Sequence, residues 1–261
     1  MPDPNASLVE VRTYFVRGRN ALVARADFGP LYIDYYLHRA DHDLVYSDEH
    51  DAMLKDALAA LTLHLASRPR EESCGWTLNF HEPRLNLFVT GSSRPGRVAG
   101  RAFTEDVREF AKNLMIGQTT RPNHPPVQSL VEFTTSGIFP LVERYYLQSE
   151  QRLARLFRHE EEDIVMVSAQ PDCDEAWLSS LGAEDICELD QMEQLALLEC
   201  RCYVWECGCT VDRLYPILGK LAEGDLDDVF GGQEIVTLTC PRCGARYRAA
   251  REQFEAWREE G

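Results

Sequence analysis

The cysteines are the residues of this chain whose types and spacing could do chemistry. The chain has nine cysteines among 261 residues, and seven of them lie from Cys187 to Cys243. Two short pairs stand out: Cys207 and Cys209 form a CxC pair, and Cys240 and Cys243 form a CxxC pair. Four thiolates presented as two short pairs are a ligand set that a tetrahedral zinc ion binds. The spacing therefore predicts one Zn2+ per chain, held by these four cysteines.

Three functions are compatible with this cysteine pattern. In the first, the metal only holds a zinc-ribbon module together, as in adaptors and nucleic-acid-binding proteins, and the arginines from Arg242 to Arg251 favour a nucleic-acid ligand. In the second, Cys240 and Cys243 are the dithiol of a thiol oxidoreductase, although no convincing βαβ unit surrounds them. In the third, the cysteines are a redox switch, because oxidation to disulfides removes the thiolates that bind the metal.

The size of the C-terminal segment favours a switch on physical grounds. A module at 204–261 is too short to bury a large core, whereas structural zinc supplies on the order of 10–16 kcal/mol of apparent binding free energy in small peptides. We therefore expect the module to unfold when its cysteines are oxidised. Within it, a helix at 214–221 and a strand at 235–238 are predicted, and Pro216 is expected to kink or shorten the helix.

Composition and motifs argue against other classes of function. The net charge of -16 at pH 7 repels phosphate backbones and so disfavours nucleic acid as a partner. The sequence contains neither an apolar run of about 18 residues nor a signal-peptide pattern, so we expect a cytoplasmic protein with no membrane partner. The histidines show no HExxH spacing, and no glycine-rich phosphate motif is present. No catalytic residue is therefore expected, and the protein is predicted not to be an enzyme.

The five remaining cysteines are interpreted more simply. Cys200 and Cys202 could be additional ligands or redox thiols, but a tetrahedral site is complete without them, and ordinary strand residues are the favoured interpretation. Cys74, Cys173 and Cys187 are expected to be small side chains, buried or partly exposed. The predicted redox-active and zinc-binding set is therefore limited to the CxC and CxxC pairs.

Hydrophobic patterns in residues 1–170 predict an α+β domain built on an antiparallel sheet. Leucines recur at helical spacing from Leu54 to Leu65, whereas several segments alternate apolar and polar residues, as strands with one buried face do. The acidic segment 171–203 is predicted to be a linker with short helices, which leads into the module at 204–261. The predicted strands are 9–12, 20–24, 76–80, 85–89, 98–102 and 164–167, and the predicted helices are 52–66, 104–117 and 141–157.

A CxC pair, 30 intervening residues and a CxxC pair follow one another near the C-terminus. Four segments accompany this order: Glu206–Cys209, Gly231–Cys240, Gly244–Arg248 and Tyr145–Gln151. In the order of the pairs and in these segments, the sequence resembles the heat-shock protein 33 family. The first three surround the cysteines, and the fourth resembles a Ser-Glu-Gln stretch in the N-terminal domain of the family.

The resemblance implies a redox-regulated, ATP-independent holdase, which is a chaperone that binds unfolding proteins under oxidative stress. It implies that the reduced, zinc-bound protein is inactive, and that oxidation forms disulfides within each pair, Cys207 with Cys209 and Cys240 with Cys243. Zinc is then released, the module and the linker unfold, and a surface for client proteins is uncovered. The resemblance also implies an active homodimer, with the N-terminal domain serving client binding and dimerisation.

Overall fold

Strands and helices alternate irregularly along the chain. The computed structural model describes residues 7–105, 107, 110–221 and 229–260. The strands are β1 (Val9–Val16), β2 (Ala21–Asp27), β3 (Ser73–Phe80), β4 (Leu85–Ser93), β5 (Gly96–Phe103), β6 (Asn113–Thr120), β7 (Val127–Phe133), β8 (Ala154–Arg158), β9 (Asp163–Ala169), β10 (Leu195–Trp205), β11 (Ile235–Thr239) and β12 (Arg246–Ala250). The helices are α1 (Gly29–Asp41), α2 (Asp48–Ala66), α3 (Ile138–Tyr145), α4 (Glu175–Ser180), α5 (Ala183–Cys187), α6 (Leu189–Met192), α7 (Val211–Leu221) and α8 (Arg251–Glu260), with a π-helical turn at Tyr146–Glu150. None of the described helices is long and apolar enough to cross a membrane.

Ten of the strands form one large sheet. Their order is β7-β6-β3-β4-β5-β10-β1-β2-β9-β8. Neighbouring strands pair antiparallel, except that β10 runs parallel to β5 over Val204 and Trp205. Strands β11 and β12 form a separate antiparallel pair near the C-terminus. The α+β class that the sequence predicts is therefore confirmed.

Helix α2 lies at the centre of the hydrophobic core. The Ser47 side chain caps its first turn by accepting a hydrogen bond from the His50 N–H at 3.2 Å, and the acidic residues of that turn suit the positive end of the helix dipole. Residues 57–66 are all buried, because the helix lies between the sheet and α3. The predicted helix at 52–66 is confirmed.

Helices cover both faces of the sheet. Alternate residues of β9 show this directly, since Ile164 and Met166 belong to the cluster that contains α2 and α3, whereas Val165 and Val167 belong to a second cluster. The second cluster contains the short helices α4–α6, here called the linker helices. They and their connections contribute four buried side chains: Leu178, Leu181, Ile186 and Leu189.

Strand β10 lies in the middle of the sheet, between β5 and β1. Residues 195–203 are predicted from the sequence to belong to the linker, yet the structure pairs them with β1 along its whole length. The predicted boundary between residues 203 and 204 therefore falls inside one strand. The linker helices at 175–192 are the part of the predicted linker that lies outside the sheet, and the division into three segments stays a prediction.

The helix predicted from Thr104 to Gly117 is wrong in its second half. Residues Asn113–Thr120 form β6, which pairs with β3 on one side and β7 on the other. Part of the predicted first turn lies outside the described residues. The helix-start signal at Thr104 is local. The conformation of residues 113–120 is decided instead by backbone hydrogen bonds to two neighbouring strands and by the burial of Met115.

The helix predicted at 141–157 is too long. Helix α3 passes into the π-helical turn, which ends at Gln151 with a left-handed φ of 54°. A residue in that region terminates a right-handed helix. The chain then enters β8, where Ala154 and Leu156 are buried against β9. The apolar residues of this segment satisfy both helical and strand spacing, and pairing with β9 favours the strand.

His64 should make the stability of the protein depend on pH. It is fully buried, its Nδ1 lies 2.7 Å from the Tyr146 hydroxyl, and burial, with Arg68 and Arg152 nearby, holds its pKa well below the usual value. The folded protein therefore keeps His64 neutral, while the unfolded chain binds a proton below about pH 6.5. We expect the free energy of unfolding to fall below that pH, by up to about 1.4 kcal/mol per pH unit.

Urea unfolding between about pH 5 and pH 7 measures this effect. His64→Gln removes the titrating group, so the variant should lose this part of the pH dependence. An identical slope in the variant and the wild type would contradict the assignment to His64.

Candidate metal centre

Two turns bring the cysteine pairs together. The first follows β10, where Gly208 adopts a positive φ of 68° and lets the chain turn between the cysteines of the CxC pair. The second follows β11. There the Gly244 N–H donates to the Cys240 C=O at 3.0 Å, and the Cys240 N–H donates to the Ala245 C=O at 2.8 Å. Gly244 itself has a φ of 80°, so this turn also needs a residue without a Cβ.

The four sulfurs lie close enough together to surround one ion. All four Sγ atoms lie within 4.8 Å of one another, with 3.7 Å between those of Cys207 and Cys240 and 3.5 Å between those of Cys209 and Cys243. Zinc–sulfur bonds of about 2.3 Å in a tetrahedron place sulfurs about 3.8 Å apart. The distances and the all-thiol donor set therefore fit zinc. Within the described part of the chain, no other group of three or more potential ligands converges in this way.

Contacts among the sulfurs shift the pKa values of the four thiols apart. The contact with Cys207 lowers the pKa of Cys209 to about 7 and lowers that of Cys240. The contact with Cys209 raises the pKa of Cys207. The contact with Cys207 raises the pKa of Cys243. Like charges at this separation repel, so the four thiols do not all ionise by themselves near neutral pH. A bound divalent cation compensates that repulsion and favours four thiolates.

Two groups of the β11–β12 hairpin support the sulfurs. The Arg242 N–H donates to the Cys240 Sγ at 3.4 Å. The Tyr247 hydroxyl lies 3.2 Å from the Cys209 Sγ and donates to the Cys209 C=O at 2.9 Å. Because Tyr247 belongs to β12, opposite Leu238 of β11, the hairpin fixes the position of the CxC turn relative to the CxxC turn.

Tyr247→Phe should loosen the site without removing a ligand. The substitution keeps the ring and deletes the hydroxyl, and the loss of one such hydrogen bond costs about 1 kcal/mol. We expect zinc to transfer to a chromogenic chelator about fivefold faster. Tyr215→Phe serves as the control, because Tyr215 packs against Phe254 and Trp257 in the same module. Equal release by Tyr247→Phe and wild type would show that the hydroxyl does not hold Cys209.

The CxxC turn rests on side chains from the N-terminal part of the chain. These contacts join His38 Nε2 to the Cys243 C=O (3.0 Å), His42 Nδ1 to the Arg246 N–H (3.2 Å) and Arg101 Nη1 to the Cys240 C=O (3.1 Å). Burial lowers the pKa of His38, so its neutral ring donates to the carbonyl. The Leu44 side chain lies under Gly244, where a Cβ would come within 2.9 Å of it. The candidate centre is therefore packed against α1 and β5.

Sequence reasoning did not identify these supporting residues. His38, in α1, and His42, the residue that follows α1, have i, i+4 spacing, which is a local signal of a shared face. Their partners lie 205 and 204 residues away along the chain, and no local pattern connects them. Tyr247 was part of the family resemblance, but its role depends on the β11–β12 register.

The other five cysteines lie outside this cluster. Cys200 and Cys202 are exposed on β10, opposite Arg12 and Glu10 of β1, in ordinary strand positions. Desolvation and Glu10 raise the pKa of Cys200 to about 11, so its thiol stays protonated and poorly reactive near neutral pH. The remaining three are Cys74, which is buried, Cys173, which is partly buried, and Cys187, which is exposed.

Comparison with known proteins identifies the family. A family model described as "Hsp33 protein" matches residues 37–250. The chain belongs to the Hsp33 family. Hsp33 proteins are chaperones, so membership supports a chaperone function, and the resemblance predicted from the sequence is confirmed.

A solved Hsp33 structure has a similar fold. The 33 kDa chaperonin (heat shock protein 33 homolog) of Thermotoga maritima matches with a TM-score of 0.71 and 14% sequence identity, over 98% of this chain and 99% of that chain. At this identity the likeness shows the fold alone. No curated protein matches the sequence.

Proposed function

We propose that this Hsp33 protein is a redox-regulated, ATP-independent holdase whose switch is the four-cysteine cluster. The observation that supports the proposal is the convergence of four Sγ atoms within 4.8 Å in a member of a chaperone family. In the reduced state, Cys207, Cys209, Cys240 and Cys243 would hold one Zn2+ as thiolates. Bound zinc would tie the end of β10 to the β11–β12 hairpin.

Beside its contacts with α1 and β5, the C-terminal module has only a small core of its own. Its own core, among the described residues, is a cluster of five buried side chains: Tyr215, Leu218, Phe230, Ala249 and Phe254. Helix α7 runs through Pro216 without ending there, but the ring removes one backbone hydrogen bond from it. A core of this size is too small for secure folding, and structural metal sites commonly supply the missing free energy. Loss of the thiolates is therefore expected to unfold the module.

Oxidation would convert the thiols into disulfides. With hydrogen peroxide as the oxidant, each pair of thiolates loses two electrons and one S–S bond forms, while the peroxide takes up two protons from the solvent and is reduced to two molecules of water. The family resemblance implies pairing within each motif, Cys207 with Cys209 and Cys240 with Cys243. Since every sulfur pair lies within 4.8 Å, pairing between the motifs is also within reach, and peptide mapping of the oxidised protein distinguishes the two.

Strand β10 would transmit unfolding of the module to the linker. It ends at Trp205, two residues before Cys207, and pairs with β5 over two residues. Beyond the strand, the Glu206 N–H donates to the Val98 C=O at 3.0 Å, and Glu206 pairs with Arg97 at 2.8 Å. Because only two residues separate the end of β10 from Cys207, we expect unfolding of the module to loosen β10. The linker helices, which precede β10 along the chain, should then loosen as well.

The linker helices cover the surface that we propose for client binding. The surface belongs to β1, β2, β8 and β9, and we call it the linker-covered surface. Its buried side chains are Val16, Ala21, Val23, Phe157, Val165, Val167 and Ala169. Apolar surface of this kind, once uncovered, is suited to the apolar segments that unfolding proteins expose.

An oxidant titration of the zinc-loaded protein tests the proposal. Zinc release and the aggregation of a heat-unfolding client are measured in the same samples. We expect client light scattering to fall only in samples that have released zinc, and dithiothreitol with zinc to restore the inactive state. Unchanged aggregation at full zinc release would exclude a redox-controlled holdase. Salt-sensitive binding of nucleic acid by the reduced protein would then favour the zinc-ribbon alternative.

The proposal also includes partners and location. The expected partners are unfolding client proteins, and the active form is a homodimer, as the family resemblance implies. A reducing cytoplasm keeps thiols free, so it is the compartment in which this switch would operate. Sedimentation before and after oxidation tests the dimer.

A further inference from the structure

The turn between β1 and β2 contacts both ends of the linker helices. At the first end, the Asp174 N–H donates to the Arg19 C=O at 3.0 Å. At the other end, the Arg17 N–H donates to the Gln194 C=O at 2.9 Å. The segment that contains all three linker helices therefore begins and ends at one hairpin turn.

The Arg19 side chain bonds to both ends of that segment. Its Nη1 pairs with Asp174 at 2.7 Å, its Nε pairs with Glu193 at 3.0 Å, and its guanidinium lies 5.4 Å from the centre of the Trp177 ring. Asp174 is also the N-cap of α4, since its carboxylate accepts a hydrogen bond from the Trp177 N–H at 3.0 Å. The Glu193 side chain is only 11% exposed, so it is held against the hairpin.

We propose that Arg19 is a positioning residue that holds the linker helices over the linker-covered surface in the reduced protein. The inference rests on the proposed function, because it assigns closure of the proposed client surface to one side chain. A guanidinium suits the task, since its donors reach two carboxylates while its positive charge lies over the Trp177 ring. The linker helices have six, five and four residues, too few to be stable alone, so their position depends on contacts of this kind.

The ion pair between Arg19 and Asp174 is weak enough to break when the linker helices are released. The side chains of Arg19 and Asp174 are 36% and 38% exposed, so water and salt compete with their ion pair. Arg19 therefore favours the closed linker while the module is folded. It does not prevent release once β10 has loosened.

Hydrogen exchange of residues 174–194 in reduced, zinc-loaded Arg19→Ala tests the inference. Loss of two ion pairs and a cation–π contact should accelerate exchange of these amides about tenfold, while zinc content and exchange in α2 stay as in the wild type. Arg12→Ala is the comparison variant, because Arg12 is an exposed β1 arginine paired with Glu10 at 2.7 Å. Arg19→Lys should restore part of the protection. Unchanged exchange in Arg19→Ala would overturn the inference.

Client aggregation in the same reduced variant separates this inference from the proposed function. Faster exchange together with client protection in the absence of oxidant supports both. Faster exchange with clients aggregating as they do with the wild type supports the role of Arg19 and contradicts the proposed client surface. Unchanged exchange contradicts the role of Arg19 alone, and the oxidant titration still decides the function.

Discussion

Cys243→Ser should strongly weaken zinc binding and destabilise the C-terminal module. Cys243 is 1% exposed and its Sγ lies 3.5 Å from that of Cys209, so serine leaves three thiols and a buried hydroxyl around the site. We expect the zinc affinity to fall by roughly a hundredfold or more, as measured by competition with a chromogenic chelator. Trypsin should then cleave faster at Arg246 and Arg248, which lie in β12 when the module is folded.

Cys202→Ser provides the reference for that experiment. Cys202 is an exposed cysteine of β10 outside the cluster, so its variant should bind zinc and resist trypsin like the wild type. Equal losses in both variants would point to a general effect of removing a thiol. Wild-type zinc affinity in Cys243→Ser would remove Cys243 from the proposed ligand set.

Leu178→Asp should uncover the linker-covered surface without oxidant. Leu178 of α4 is fully buried in the apolar cluster beneath the linker helices. Burying an unpaired carboxylate there costs several kcal/mol, which is more than short helices can withstand. We expect the reduced, zinc-loaded variant to bind an apolar fluorescent dye and to suppress client aggregation, with one zinc retained per chain.

Met192→Asp isolates the effect of burial from the effect of charge. Met192 ends α6 and is 57% exposed, so its variant adds the same negative charge to the same segment without disturbing the cluster. It should behave like the wild type in both assays. Dye binding by Leu178→Asp without client protection would contradict the client surface, and activity in both variants would point to charge rather than uncovering.

The four cysteines that the structure brings together can be predicted from the sequence, because the pattern that marks them is local. Each pair occupies three or four consecutive residues, and Gly208 and Gly244 mark the turns that such pairs need. The residues that support the CxxC turn cannot be predicted from the sequence, because their role depends on where α1 and β5 contact the module. His38 and Arg101 have no sequence feature that relates them to the cysteines.

Helices and strands with a clear hydrophobic period in the sequence are predicted correctly. Those whose conformation depends on pairing with distant segments of the chain are not. Helix α2 carries a long apolar pattern and an N-cap. Helix α1 was missed, because its apolar residues do not form one buried stripe: Tyr32 and Tyr35 are buried, whereas Ile33 and Leu37 are exposed. Strands β6 and β10 depend on neighbours far along the chain, so their local signals were insufficient.

Hydrogen exchange of the module during stepwise oxidation tests most directly whether sulfur-bound zinc keeps it folded. The amides of β11, β12 and α8 are followed by mass spectrometry, and the fraction of zinc released is measured in the same samples. If the four sulfurs hold the module together, protection of these amides should fall in proportion to zinc release. Full zinc release with the amides of β11 and β12 still protected would contradict the coupling on which the proposed switch depends.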